Sequence, residues 1–189
     1  MKPSLLIDNA LLAVKWPVGL ATTALLPACI AGAWDLLARI VGDPLPILWF
    51  LAGFGAYWTA WRCVLKRPLW GTWFSTLEHE LTHALFALLT LHPVTSIKTT
   101  WKSGGRMSYL GQGNWLITIA PYFFPTICLL VLVPLAWTNI ATETKWLDFL
   151  LGVTLAYHAI STLRETHREQ TDLKEVGFTF AWLFLPAAN

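Results

Sequence analysis

Five stretches of this chain, residues 5–33, 47–65, 69–91, 114–138 and 146–163, are predominantly apolar over the length that a helix needs to cross a lipid bilayer. A bilayer core about 30 Å thick takes roughly 20 helical residues. Composition agrees: 56% of the residues are hydrophobic and 13% are charged, against about 25% charged in soluble domains. The chain therefore reads as an all-α membrane protein with about five transmembrane helices and a short apolar helix at 176–186. The whole of 1–189 forms one polytopic domain, a multi-pass protein of the cytoplasmic membrane if the source is bacterial. The first stretch lacks the short apolar core and small-residue cleavage site of a signal peptide, so it is expected to stay as a span.

Of the twelve tryptophans, Trp16, Trp34, Trp49, Trp70, Trp101, Trp115, Trp137 and Trp146 lie near the ends of apolar runs, where an amphipathic ring anchors at the membrane interface. Pro17 and Pro27 are expected to kink the first span, and Asp35, Arg39, Asp43, Pro44 and Pro46 form the first polar break. Arg62, Lys66 and Arg67, before Pro68, mark a cytoplasmic loop by the positive-inside rule. Lys98, Lys102 and Arg106 lie on the other side of the third span, so the rule gives no single orientation unless that segment folds back. The net charge of +2 and the scattered bases exclude a nucleic-acid partner. Cys29, Cys63 and Cys128 are isolated and set in apolar surroundings, which gives neither a disulfide frame nor a cysteine metal site.

The third span holds His79, Glu80, Leu81, Thr82 and His83. Residues four apart share a helix face, so two imidazole nitrogens can meet one metal ion at about 2.0–2.1 Å. Glu80 projects beside them, where a carboxylate can take a proton from a water that zinc has brought to a pKa of about 7. Two histidines and a carboxylate inside an apolar span are costly there and usually mark function. Glu78 points about 100° away from His79, toward a neighbouring helix or a polar cavity.

After the motif the pattern changes. Residues 94–110 are rich in Thr, Val, Ile, Trp and Tyr around Ser103, Gly104 and Gly105, the pattern of a β-hairpin. The next apolar stretch is interrupted by Pro121, Pro125 and Pro134, a broken helix that protein or a cavity must surround. A catalytic zinc takes three protein ligands and one open position. His158 lies at about the depth of the motif and begins a polar stripe, His158, Thr162, Glu165, Glu169 and Asp172, that shares a face if one helix covers it. Asp172 is the rival ligand; with Glu175 it also forms a capping-box-like pair at the start of the last helix. Gly53 and Gly55 suit close helix packing within or between chains.

The motif at residues 79–83, the strand-forming segment with Gly104 and Gly105, and the broken span with Asn114, Pro121 and Pro125 resemble the site-2 protease-like intramembrane zinc metallopeptidases. The resemblance covers about 69–175, and the five-residue motif is its specific part. It implies that His79 and His83 bind Zn2+, that Glu80 is the catalytic base, and that an Asp on a later span, usually followed by Gly, completes the site. Asp172 is followed by Leu173, so His158 is taken as the third ligand with Asp172 as the alternative. Substrate contacts are expected at Asn114, Gly104 and Gly105, and the strand at 94–100 is expected to pair with an unwound stretch of a membrane-anchored protein substrate. Two other readings are a zinc hydrolase acting on a non-protein membrane substrate, and a non-enzymatic metal-binding scaffold or transporter.

Overall fold

The protein is described from a computed structural model covering residues 2–66, 71–100, 104–137 and 144–189. Among the anticipated features, Arg67, Pro68, Trp70, Trp101, Lys102 and Ser103 lie outside the described residues. The chain is mostly helical. Helix α1 (Pro3–Gly42) is followed by α2 (Leu48–Ala60), which continues into a π-helical turn, Trp61–Leu65. The motif helix α3 (Gly71–Leu89) leads into β1 (Val94–Thr99) and β2 (Gly105–Tyr109). Then come α4 (Trp115–Ile119), a 3-10 turn at Ala120–Tyr122, α5 (Thr126–Trp137), α6 (Thr144–Glu165), α7 (Thr171–Val176) and α8 (Phe178–Ala188).

Of the about five spans expected, the described residues support two or three. Among the described residues, two helices are long and apolar enough to cross a membrane, α1 and the Lys145–Glu165 part of α6; the broken pair α4–α5 makes a third if it counts as one span. The physical reasons differ. Helix α2 has 13 residues, about 20 Å at 1.5 Å per residue, and α3 carries the ionisable motif that lowers its hydropathy. Conversely α1 runs to 40 residues, about 60 Å, because Asp35 and Arg39 are helical rather than a break. The chain turns only at Asp43, whose backbone is extended and whose side chain accepts from the Leu45 N–H at 3.2 Å. The helix continues past Pro17 and Pro27.

The Pro-rich stretch does what its composition demands. The chain bends by 74° between Trp115–Tyr122 and Thr126–Val133, since Pro125 cannot continue the hydrogen-bond ladder of the helix before it. The hairpin also forms, antiparallel with Ile97 opposite Met107 and Lys98 opposite Arg106. Gly104 supplies the positive φ of 80° at the described end of its turn.

Two close approaches hold the helices together. A Cβ on Gly53 would lie 1.9 Å from the Phe149 carbonyl oxygen, and one on Gly152 would lie 2.0 Å from that of Phe50. Backbones of α2 and α6 therefore touch, which only glycine permits. Gly55 faces open space, with nothing within 4 Å. At the other side Phe180 of α8 packs near Gly19 of α1 and meets the rings of Trp16, Trp115 and Phe184. Trp115 is thus a packing residue, its Nε1 donating to the Leu11 carbonyl at 2.7 Å, whereas Trp34, Trp137 and Trp146 are exposed as interface anchors would be. Ile119 and Tyr122 join α7 and α8 in one apolar cluster, while Ile117 and Ala120 join Phe86 and Ala87 of α3 in another. The short α4 segment is consequently wedged between the motif helix and the C-terminal helices.

Candidate metal centre

The helical spacing of His79 and His83 brings their Nε2 atoms within 3.1 Å of each other. Asp172, on α7, completes the group: its Oδ2 lies 3.2 Å from His79 Nε2 and 3.4 Å from His83 Nε2. Both histidines are buried. The outer nitrogens decide the tautomers. His83 Nδ1 lies 2.7 Å from the Ile117 carbonyl oxygen, which can only accept, so Nδ1 carries the proton and donates it. His79 Nδ1 lies 2.7 Å from Glu165 Oε2 and donates to that carboxylate.

Both Nε2 atoms of the neutral rings, and the Asp172 oxygen, are then acceptors aimed at one point. None of the three brings a proton to the other two, so they repel one another, and a cation would relieve this. The spacing fits as well, since ligands about 2.0–2.1 Å from a tetrahedral ion are roughly 3.3 Å apart, close to the 3.1, 3.2 and 3.4 Å separations of the three atoms. These residues fit a metal ion by chemistry and by distance. Asp172 is suited to its part, its Oδ2 facing both imidazoles. Tyr122, fully buried, donates its hydroxyl to the same Oδ2 at 3.1 Å, and its ring meets that of His79 at near right angles.

The anticipated site residues divide. His79, His83 and the alternative ligand Asp172 come together, whereas His158 does not join them. It lines a separate, mainly apolar groove of about 560 Å³ with Leu155, Trp182 and Asn189. The depth argument from sequence fails because Glu165, the last residue of α6, is what lies beside His79. His158 is seven residues earlier, about 10 Å along the axis. Nor does one helix carry the polar stripe, since α6 ends at Glu165 and Asp172 returns on α7 after a turn. Gln170, not Asp172, is the N-cap of α7, so the capping-box pair is not formed.

Glu80 faces a polar cavity of about 480 Å³ that the motif shares with Gly104, Gly105, Met107 and Tyr109. Gly105 acts through its missing side chain: a Cβ there would lie 2.5 Å from Glu80 Cγ and 2.6 Å from Oε1. The strand on the cavity is β2, whereas the sequence suggested the 94–100 segment. Asn114 is already engaged, its Oδ1 accepting from the Ile117 N–H at 3.2 Å as the N-cap of α4 and its Nδ2 donating to Asp8 at 2.8 Å. It lines a different cleft of about 220 Å³. Asp8 in turn binds the wholly buried His92 at 3.0 Å. Glu78 meets the Tyr157 hydroxyl at 3.5 Å, the neighbouring-helix contact its angular position implied.

Sequence reasoning missed Tyr122 and the partnership of Glu165 with His79. Tyr122 offered no signal, being one aromatic in an apolar run. For Glu165 a signal existed, its place in the polar stripe, but the stripe was read as a path to the metal.

Among known proteins, residues 48–167 match the family model described as Peptidase M50B-like. No curated protein and no solved structure matches the chain. The matched segment contains the whole motif helix, the hairpin, the broken helix and α6, and ends five residues before Asp172. The match covers well over half of the chain, and with it the protein belongs to the peptidase M50B-like family, a site-2 protease-like family of membrane metallopeptidases.

Proposed function

We propose that this protein is a multi-pass intramembrane zinc metallopeptidase that hydrolyses a peptide bond in a membrane-anchored protein, with His79, His83 and Asp172 as ligands and Glu80 as catalytic base. The observation that carries this reading is the convergence of the two Nε2 atoms and Asp172 Oδ2 on one point, with Glu80 adjoining the same cavity. Two imidazoles and a carboxylate with a fourth position open form a catalytic zinc set. When bound, zinc would supply the Lewis acidity that polarises a carbonyl and lowers the pKa of water toward neutrality. The Glu80 carboxylate takes the proton from the attacking water and returns it to the leaving amine. His83 and His79 keep their Nδ1 protons on Ile117 and Glu165 throughout, which holds each ring in one orientation.

A peptide bond within a helix is shielded, so the substrate has to unwind. Strand β2 offers an extended partner. Gly104 accepts from Thr100, and Leu110 donates to Pro93, so the even-numbered residues of this strand face β1. The backbone groups of Gly105, Met107 and Tyr109 lie on the outer edge, along the cavity, where the Met107 N–H donates to Glu80. Edge pairing there gives affinity without demanding a particular side-chain sequence and carries the scissile carbonyl past Glu80.

The test is Glu80→Gln in purified protein, reconstituted with candidate single-span substrates and with a parallel panel of lipid amides and esters. The expected result is full zinc content with no peptide cleavage. Retained proteolysis by the variant, or turnover by wild type of the lipid panel alone, overturns the proposal.

A further inference from the structure

We infer that Glu165 is the positioning residue for His79, the outer partner that fixes which imidazole nitrogen faces the metal; this rests on the metallopeptidase reading above. Two helices supply matched pairs at a spacing of four. Ser75 and His79 lie one turn apart on α3, and Ser161 and Glu165 lie one turn apart on α6. Across the interface Ser75 Oγ and Ser161 Oγ are 3.0 Å apart. Ser75 also donates to Glu165 Oε1, and His79 Nδ1 donates to Oε2 at 2.7 Å. Each carboxylate oxygen therefore has its own donor, and rotating the group loses one bond or the other. Both serines are buried, so water does not readily replace them.

The arrangement is asymmetric in a way that bears on the metal. His83 is held by the neutral carbonyl of Ile117, His79 by a carboxylate. A carboxylate partner raises the basicity of the ligating imidazole as well as fixing its orientation. Glu165 is also the last residue of a helix long enough to cross a membrane. The position at which α6 ends is thereby coupled to the orientation of the first metal ligand.

The experiment compares wild type, Glu165→Gln, Glu165→Leu and His83→Ala in detergent. Zinc affinity is measured by competition with a chromophoric chelator, the visible spectrum is recorded after cobalt substitution, and thermal stability is followed for the metal-free proteins. Glu165→Leu is expected to weaken zinc binding about 10–100-fold and to change the cobalt spectrum. Glu165→Gln, whose amide oxygen still accepts from His79, is expected to fall in between, with metal-free stability close to wild type. Zinc affinity of Glu165→Leu within twofold of wild type, with His83→Ala abolished, overturns the inference and leaves the metal site standing. If the leucine variant does not fold, unchanged affinity and spectrum in Glu165→Gln overturn it instead. Wild type that binds no zinc overturns the metal reading and this inference together.

Discussion

Replacing Gly105 with alanine introduces a methyl group 2.5 Å from Glu80 Cγ, 2.6 Å from its Oε1 and 2.8 Å from Thr76 Cγ2. Carbon atoms settle at about 3.5–4.0 Å, so either Glu80 or the strand has to move by roughly 1 Å. Glu80 Cγ sits in mid side chain and Thr76 is on the same helix, so a small rotation does not relieve both contacts. Misplacing a reacting group by about 1 Å costs on the order of 100-fold in rate, equivalent to about 2.7 kcal/mol of transition-state stabilisation. None of His79, His83 and Asp172 is among these close contacts, so zinc content is expected to be unchanged. Gly104→Ala is the control: its Cβ meets nothing within 4 Å, although its φ of 80° is strained for a side chain. The assay is single-turnover cleavage of a reconstituted single-span substrate, with zinc measured by mass spectrometry on the same samples. A Gly105→Ala rate within threefold of wild type, or a loss equalled by Gly104→Ala, refutes the steric argument.

Exchanging the two rival ligands separates them: Asp172→Ala is expected to weaken zinc binding by more than the roughly 10–100-fold that loss of an outer partner costs, while His158→Ala leaves zinc affinity unchanged in the same chelator competition. The reverse pattern would return His158 to the site. At the α2–α6 contact, Gly53→Ala puts a methyl 1.9 Å from the Phe149 carbonyl oxygen and is expected to destabilise by about 1–3 kcal/mol, the usual scale of overpacking. Gly55→Ala, which meets open space, should leave the melting temperature in detergent within a degree or two; equal shifts for both variants would show that the contact is not limiting.

What could be read along the chain was local. The helical repeat places His79 and His83 on one face wherever α3 goes, because a spacing of four is fixed by helix geometry. Likewise the β-branched segment around Gly104 and the Pro121–Pro125 interruption act through neighbouring residues, and both produce the anticipated structure. Span number was less accessible, since hydropathy measures how apolar a stretch is but does not say where a helix stops. Helix α1 passes through Asp35 and Arg39 without ending, and α2 gives way to a π-helical turn before Arg62 and Lys66 are passed.

By itself the sequence determined the pair of histidines, the adjoining carboxylate and the kind of metal chemistry they imply. Tertiary structure alone decided what completes the group, because that depends on how far α6 slides along α3. Each residue of slide moves a side chain by about 1.5 Å, and no apolar pattern records that offset. With Glu165 beside His79, His158 is carried out of reach. The turn after α6 then brings Asp172 back onto the two imidazoles, where its charge and their lone pairs meet.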